Sequence, residues 1–116
     1  AGCVPPVLVL APSRELARQI AKVFSAFHPV SSGRVAAVFG GAPLERHASL
    51  LRRSLDVVVG TPGRVRELVR EGHLDTSGVR TMVLDEADVL LNFEDQPEIE
   101  MLLESMAGGF PLGLAG

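Results

Sequence analysis

The chain has 116 residues, of which 47% are hydrophobic and 22% charged, and its net charge is -3. This composition is typical of a folded globular domain and excludes a chain that is disordered throughout. The acidic balance excludes binding to nucleic acid through overall positive charge, so any such contact must be local. With Cys3 as the single cysteine, an internal disulfide is excluded as well.

The sequence predicts no membrane partner. No apolar run approaches the roughly 20 residues needed to cross a bilayer, and the amino end lacks the pattern of a signal peptide. We therefore expect a soluble, intracellular protein, with no indication of its compartment. Because the chain begins with Ala1 and ends in a glycine-rich stretch, we expect residues 1–116 to be a single partial domain. Its core would lie at about 7–106, with 107–116 as a tail or truncated strand.

Four short apolar runs predict β-strands that are buried on both faces. They cover residues 7–11, 35–39, 57–59 and 82–84. Since strands of this kind are usually parallel and need helical crossovers, the pattern predicts an α/β fold, with a parallel sheet flanked by helices.

Segments with helical spacing follow the strands. The first places five apolar residues on one face, and these are Leu16, Ile20, Val23, Phe24 and Phe27. The second is predicted to begin near Pro43. The third has Thr61 as its N-cap, Pro62 as its first helical residue and Gly72 as its stop. The fourth covers about residues 97–106.

Unusual residues follow each predicted strand. Because ligands bind beyond the carboxyl ends of parallel strands, these clusters are expected to share one edge of the sheet. They are Pro12-Ser13-Arg14, Gly40-Gly41, Thr61-Pro62-Gly63-Arg64 and Asp85-Glu86-Ala87-Asp88.

The acidic cluster suggests a metal and nucleotide site. Two carboxylates that directly follow a buried strand need a cation or another partner. Asp85 could hold Mg²⁺, directly or through water, beside nucleotide phosphates, and Glu86 could orient or deprotonate a water molecule. The alternative is that these acids only cap the next helix.

The other three clusters are suited to phosphate. Thr61 to Arg64 would begin a helix with free N–H groups, a glycine and an arginine. Gly40 and Gly41 permit a close approach of the backbone, and Arg14 offers a guanidinium. Each could be an ordinary turn or cap, but together they predict a binding edge for a sugar-phosphate backbone.

These segments, in this order, resemble the successive motifs of DEAD-box ATP-dependent RNA helicases. The resemblance covers about residues 7–104 and includes Ala11 to Ala17, Gly40-Gly41, Thr61 to Arg64 and Asp85 to Asp88. It implies a RecA-like first lobe, of the P-loop NTPase type, that uses ATP and Mg²⁺ and clamps RNA together with a second lobe.

The resemblance also implies a role for each matching residue. Asp85 would serve Mg²⁺, Glu86 the hydrolytic water, and Asp88 the coupling to other motifs. The remaining residues would contact RNA, mainly at its sugar-phosphate backbone. They are Pro12, Ser13, Arg14, Gly40, Gly41, Thr61, Pro62, Gly63 and Arg64.

Parts of the family pattern are missing from the chain. It has no G-x-x-x-x-G-K-[ST] phosphate-binding loop, no serine-alanine-threonine motif and no second lobe. We therefore expect these 116 residues to be inactive alone. We also expect the backbone groups of the acidic strand to lack partners, because the strands that carry the missing motifs lie beside it in RecA-like sheets.

Two alternatives to an RNA helicase remain. One is a non-catalytic scaffold in a ribonucleoprotein or assembly complex, although a scaffold has no need of an Asp85-Glu86 pair. The other is a DNA motor. Among the remaining residues, His28, His47 and His73 are predicted to be surface histidines without metal spacing. A solvated helix face is predicted for Glu45, Arg46, Arg52 and Arg53. Contact with RNA or protein is the alternative for these arginines.

Overall fold

Five parallel strands form one sheet in the computed structural model, which describes residues 2–27, 34–91, 96–104 and 113–115. The strands are β1 (Val7–Leu10), β2 (Val35–Val38), β3 (Val57–Gly60), β4 (Thr81–Asp85) and β5 (Gly113–Ala115). Their order across the sheet is β2-β3-β1-β4-β5. The predicted parallel sheet and its first four strands are thus confirmed.

Helices connect the strands. They are α1 (Arg14–Phe27), α2 (Leu44–Leu50), α3 (Pro62–Arg70), α4 (Ala87–Leu90) and α5 (Gln96–Glu104), and a 3-10 turn covers Thr76–Gly78. The third predicted helix has the expected ends, with Thr61 as N-cap and Gly72 in the left-handed region at φ 81°. In the described part of the chain, no helix has the length and apolar character needed to cross a membrane.

The sheet carries a hydrophobic core on each face. On one face, α3 and α5 cover the strands, with Val65, Leu68, Ile99 and Leu102 almost fully buried. On the other face, α1 packs through Ala17 against β1 and β3. Layers on both sides bury all of β3 and residues 8–10 of β1, which explains why these sequences are continuous apolar runs rather than alternating ones.

The predicted apolar face of α1 is only partly correct. Leu16, Ile20 and Phe24 pack against the sheet, but the side chains of Val23 and Phe27 are 54% and 77% exposed. Helical periodicity aligns residues on a face without showing how far the underlying sheet extends.

The acidic strand β4 has a partner on each side. It pairs in parallel with β1, in a register that sets Leu84 beside Leu10, and with β5, in a register that sets Leu84 beside Leu114. The expectation that its backbone groups lack partners is therefore wrong. Strand β5 (Gly113–Ala115) lies in the carboxyl-terminal segment of the chain.

The predicted helix near Pro43 begins one residue later than expected, because Pro43 is its N-cap and Leu44 its first residue. The fourth predicted helix is α5, which begins at Gln96. Its predicted end at Met106 lies outside the described residues.

Candidate functional site

The four predicted clusters follow four neighbouring parallel strands. Gly40 and Gly41 follow β2, Thr61 to Arg64 follow β3, Pro12 to Arg14 follow β1, and Asp85 ends β4. Read across the sheet, the three clusters predicted for RNA are adjacent, and the acidic cluster lies next to the last of them. The parallel pairing brings all four to the carboxyl edge of the sheet.

After β1, the chain turns directly into α1. The Oγ of Ser13 accepts a hydrogen bond of 3.2 Å from the backbone N–H of Leu16, and the Ser13 carbonyl accepts one of 3.0 Å from Ala17. This is the geometry of an N-cap. Ser13 therefore has a structural role in starting the helix, and its hydroxyl hydrogen is available to a ligand. The side chain of Arg14 is exposed next to it.

Phe39 organises the arginines at this edge. The guanidinium carbons of Arg14 and Arg18 lie 5.2 and 4.9 Å from the centre of its ring, within range of cation–π attraction. The buried ring also makes a T-shaped contact with His47, at 5.0 Å between centroids. One aromatic side chain thus connects α1 with α2.

Gly41 has a conformation that requires glycine. Its φ is 89°, and a Cβ added there would lie 3.3 Å from Nη1 of Arg14. Gly40 and Gly63, in contrast, have open space around the position of a Cβ. The two glycines of the pair thus differ: the positive φ of Gly41 favours glycine at the turn, whereas Gly40 leaves the backbone accessible.

The start of α3 leaves its first N–H groups without a side-chain cap. Thr61 has the extended backbone of an N-cap, but its hydroxyl makes no capping hydrogen bond. Pro62 is buried at the first helical position, while Gly63 is exposed. The positive end of a nine-residue helix therefore meets the surface at a glycine, an arrangement that suits an anion.

The guanidinium of Arg64 is held by three groups and is only 10% exposed as a side chain. Its Nη1 donates a hydrogen bond of 2.7 Å to Nδ1 of His47, and its Nη2 donates one of 2.9 Å to the carbonyl of Ala42. Its Nε lies 3.0 Å from Oε1 of Glu67. Arg64 therefore links α3 to the turn after β2 and to α2.

His47 is buried, so the prediction of a surface histidine is wrong. It is 1% exposed, beneath Phe39 and beside Arg64. Burial, and next the positive charges of Arg64 and Arg46, lower the pKa of His47 from 6.5 to about 4, although Glu67 opposes this. The ring is thus neutral at physiological pH.

The acidic cluster occupies a sharp turn between β4 and α4. Oδ1 of Asp85 accepts a hydrogen bond of 3.2 Å from the N–H of Glu86. Glu86 is the N-cap of α4 and has left-handed backbone angles, φ 52° and ψ 55°. In the described residues it is the only non-glycine residue with positive φ. Such strain is concentrated at functional sites in proteins.

The carboxylates of Asp85, Glu86 and Asp88 are better suited to Mg²⁺ than to a metal ion whose ligands all come from the protein. Asp85 is half-buried, and Glu86 and Asp88 are exposed. The described residues contain no group of three or more histidine, cysteine or acidic side chains able to hold a metal ion. Mg²⁺ commonly takes one or two carboxylates and completes its coordination with water and substrate phosphates. Asp85, half-buried at the end of β4, offers a carboxylate of the kind that this role needs.

Phe39, His47 and Arg18 belong to this edge but are not among the predicted site residues. Arg18 follows Arg14 by four residues on a helix, so the spacing could have indicated that both lie on one face. Phe39 ends an apolar run and resembles an ordinary core residue. Nothing in the sequence indicates that His47 is buried.

A cavity of about 580 Å³ lies elsewhere, between the amino-terminal segment and the end of α2. Its lining includes Cys3, Arg52, Arg53 and His73 but none of the predicted site residues. Cys3 is held there by a β-bridge to Leu74, and burial raises the pKa of its thiol. A thiol of this kind is a poor nucleophile.

Comparison with known proteins adds a family match. A sequence model described as DEAD/DEAH box helicase matches residues 3–113. Two similar proteins are DEAD-box ATP-dependent RNA helicases 53 and 9 of Oryza sativa subsp. japonica. Helicase 53 is 41% identical over 105 residues, which are 90% of this chain and 17% of the relative. Helicase 9 is 42% identical over 103 residues, with shares of 89% and 16%.

A spinach relative and a solved structure agree with these matches. DEAD-box ATP-dependent RNA helicase 7 of Spinacia oleracea is 41% identical over 88% of this chain and 15% of its own length. The crystal structure of the yeast DEAD-box splicing factor Prp28 superposes with a TM-score of 0.84 at 27% identity, and it covers 97% of this chain and 27% of that one. The chain thus spans about a sixth of the length of the curated relatives.

Proposed function

This chain belongs to the DEAD/DEAH box helicase family, and we propose that its protein is an ATP-dependent RNA helicase in which RNA and ATP meet at the carboxyl edge of this sheet. The observation that carries the proposal is the order of the clusters along that edge. Those following β2, β3 and β1 are adjacent, and the acidic turn after β4 continues the row. An RNA strand and a nucleotide could therefore lie side by side on one rigid support.

The first three clusters would bind the sugar-phosphate backbone. The uncapped start of α3, with Thr61, Pro62 and Gly63, offers N–H groups to a phosphate. Gly40 leaves the backbone accessible and Gly41 forms the turn beside it. Pro12, Ser13 and Arg14 add a hydroxyl and an exposed guanidinium. Nη1 and Nη2 of Arg64 each carry a second N–H beyond the one donated to His47 or to Ala42. Contacts of these kinds do not depend on the bases, so binding would be largely independent of sequence.

The acidic turn would serve ATP. Asp85 would hold Mg²⁺ through water, and that ion would neutralise charge on the phosphates. Glu86 would orient the attacking water or take its proton, which its exposed position at the turn allows. Asp88, one residue into α4, would link the acidic turn to neighbouring motifs.

The proposal requires parts that these 116 residues do not contain. A phosphate-binding lysine loop and a second RecA-like lobe would come from the remainder of a longer protein, of which residues 1–116 form part of the first lobe. The match to about a sixth of each curated relative supports this arrangement. A role within a ribonucleoprotein complex is compatible with it, and the structurally similar protein Prp28 is described as a splicing factor.

The test is ATP turnover by the full-length protein, with and without single-stranded RNA. We expect RNA to stimulate turnover, and Glu86→Gln to reduce it by about 100-fold or more while nucleotide binding persists. Glu45→Gln, an exposed change on α2, is the matched control. Full turnover by Glu86→Gln would remove the catalytic assignment, and no turnover by the unaltered protein would favour the scaffold. Tighter binding to a matched DNA strand than to RNA would favour the DNA motor.

A further inference from the structure

We propose that His47 is a positioning residue that fixes the guanidinium of Arg64 for RNA binding, an inference that rests on the proposed function of this edge. His47 does not itself reach the surface, since it is 1% exposed. Its effect on RNA would pass through the 2.7 Å hydrogen bond between its Nδ1 and Nη1 of Arg64.

The hydrogen bond defines the tautomer of His47. An arginine can only donate, so Nδ1 must accept and the ring proton must be on Nε2. Among the described residues, Nε2 is buried and has no hydrogen-bond partner. The ring thus has one buried polar atom without a hydrogen-bond partner among the described residues, while the other atom holds Arg64.

Three groups hold Arg64 from different directions. The Ala42 carbonyl belongs to the turn that follows Gly41, Glu67 lies one turn further along α3, and His47 is on α2. Glu67 alone would pull the guanidinium along its own helix. His47 and Ala42 hold it toward the turn after β2, between two of the clusters proposed to bind RNA.

The charged groups around His47 favour its neutral, accepting form. Arg64 and Glu67 face it from α3, and Arg46 acts on it from its own helix. The Phe39 ring packs against it, and two arginines of α1, Arg14 and Arg18, lie over that ring. A proton on Nδ1 would face Nη1 of Arg64 and break the contact. The pKa of about 4 keeps the contact intact at physiological pH.

The consequence is that Arg64 presents its remaining N–H groups in a fixed direction. A preorganised arginine loses less conformational entropy when it binds a phosphate. Without His47, we expect the guanidinium to have a broader range of positions and RNA affinity to fall by about 3- to 10-fold, the worth of one hydrogen bond.

The experiment measures the Kd of the full-length protein for single-stranded RNA over a range of salt concentrations. His47→Leu removes the acceptor, whereas His47→Asn keeps one, since its Oδ1 can replace Nδ1. We expect weaker binding for His47→Leu and a Kd within about 2-fold of the unaltered protein for His47→Asn. The half-buried His73, changed to leucine, is the control.

A second arm asks whether His47 acts through Arg64. Arg64→Ala should weaken binding and reduce the slope of log K against log salt by about 0.7, as expected for one lost phosphate contact on a single strand. Adding His47→Leu to Arg64→Ala should change neither value further. If His47 had only a structural role, His47→Leu would weaken binding both in the unaltered protein and in Arg64→Ala. The unfolding midpoint of each variant is measured in parallel.

The outcomes distinguish the proposed RNA contact of Arg64 from the proposed positioning role of His47. Unchanged RNA binding by Arg64→Ala overturns the RNA role of this residue and, with it, the role of His47. Weaker binding by Arg64→Ala together with normal binding by His47→Leu overturns the positioning role alone. A further loss in the double variant, or no recovery with His47→Asn, also overturns it.

Discussion

The guanidinium carbon of Arg14 lies 5.2 Å from the centre of the Phe39 ring, and that of Arg18 lies 4.9 Å from it. Two like charges four residues apart on a helix repel each other. The negative face of the ring offsets this repulsion and holds both side chains at the proposed RNA edge. Phe39 therefore stabilises the fold and concentrates positive charge in a chain whose net charge is negative.

Phe39→Leu should lower the free energy of unfolding by about 1–3 kcal/mol. The change keeps an apolar side chain in a buried position but removes the cation–π contacts and the T-shaped contact with His47. Urea unfolding measures the effect. Phe27→Leu, at a side chain that is 77% exposed, should change stability by less than about 0.5 kcal/mol. Equal effects at the two positions would show that the arginine contacts contribute nothing.

Alanine substitutions at Gly41 and Gly63 should change the stability of the protein in opposite directions. Gly41→Ala forces a Cβ into a left-handed conformation and toward Arg14, so we expect a loss of about 1–2 kcal/mol. Gly63→Ala places a better helix former where nothing lies within 4 Å, and we expect unchanged stability or a gain of up to about 1 kcal/mol. Thermal unfolding of both variants is the measurement. A stable Gly41→Ala would contradict the steric account of this turn.

Local sequence patterns were sufficient to predict the parallel sheet. The apolar runs at β1 and β3 are buried on both faces, so the run itself reports the burial. Thr61, Pro62 and Gly72 define α3 because each acts through its own backbone conformation. Because strands and helices alternate along the chain, the strands are parallel and their carboxyl ends share one edge of the sheet. The sequence could therefore predict that the four clusters lie together at that edge.

The remaining features depend on contacts between distant residues. His47 is buried because Phe39 and Arg64 enclose it, and no local pattern distinguishes it from a surface histidine. Phe27 is exposed although it lies on the apolar face of α1, and helical spacing does not show how far along the helix that face is covered. Helix α4 has four residues, about one helical turn, which is too short for a helical apolar pattern to be recognised. The roles of the site residues remain predictions, since binding and turnover depend on groups outside this chain.

His47 should make stability depend on pH in a defined window. Its pKa is lowered from 6.5 to about 4 in the folded protein, so the unfolded chain binds the proton more readily. The contribution to stability is therefore complete above about pH 6.5 and is lost as the pH falls toward 4, by at most about 3 kcal/mol. Urea unfolding from pH 4 to 8 measures this slope. The difference in slope between the unaltered protein and His47→Asn isolates the histidine, and identical profiles would contradict the assignment.

The left-handed backbone at Glu86 should lower the free energy of unfolding of the protein. An L-residue in this region costs about 1–2 kcal/mol, and glycine avoids most of that cost while losing about 0.5–1 kcal/mol to the greater freedom of the unfolded chain. Glu86→Gly should therefore be about 1 kcal/mol more stable than Glu86→Ala, although both lack the carboxylate. Hydrogen exchange of the β4 amides in the full-length protein gives the two opening free energies. Under the proposed function, both variants should lose ATP turnover equally, because both lack the carboxylate. The strained backbone at this position would then be explained by the need for a glutamate side chain at the turn. If alanine is as stable as glycine, the turn stores no strain, and the carboxylate alone would account for glutamate at this position.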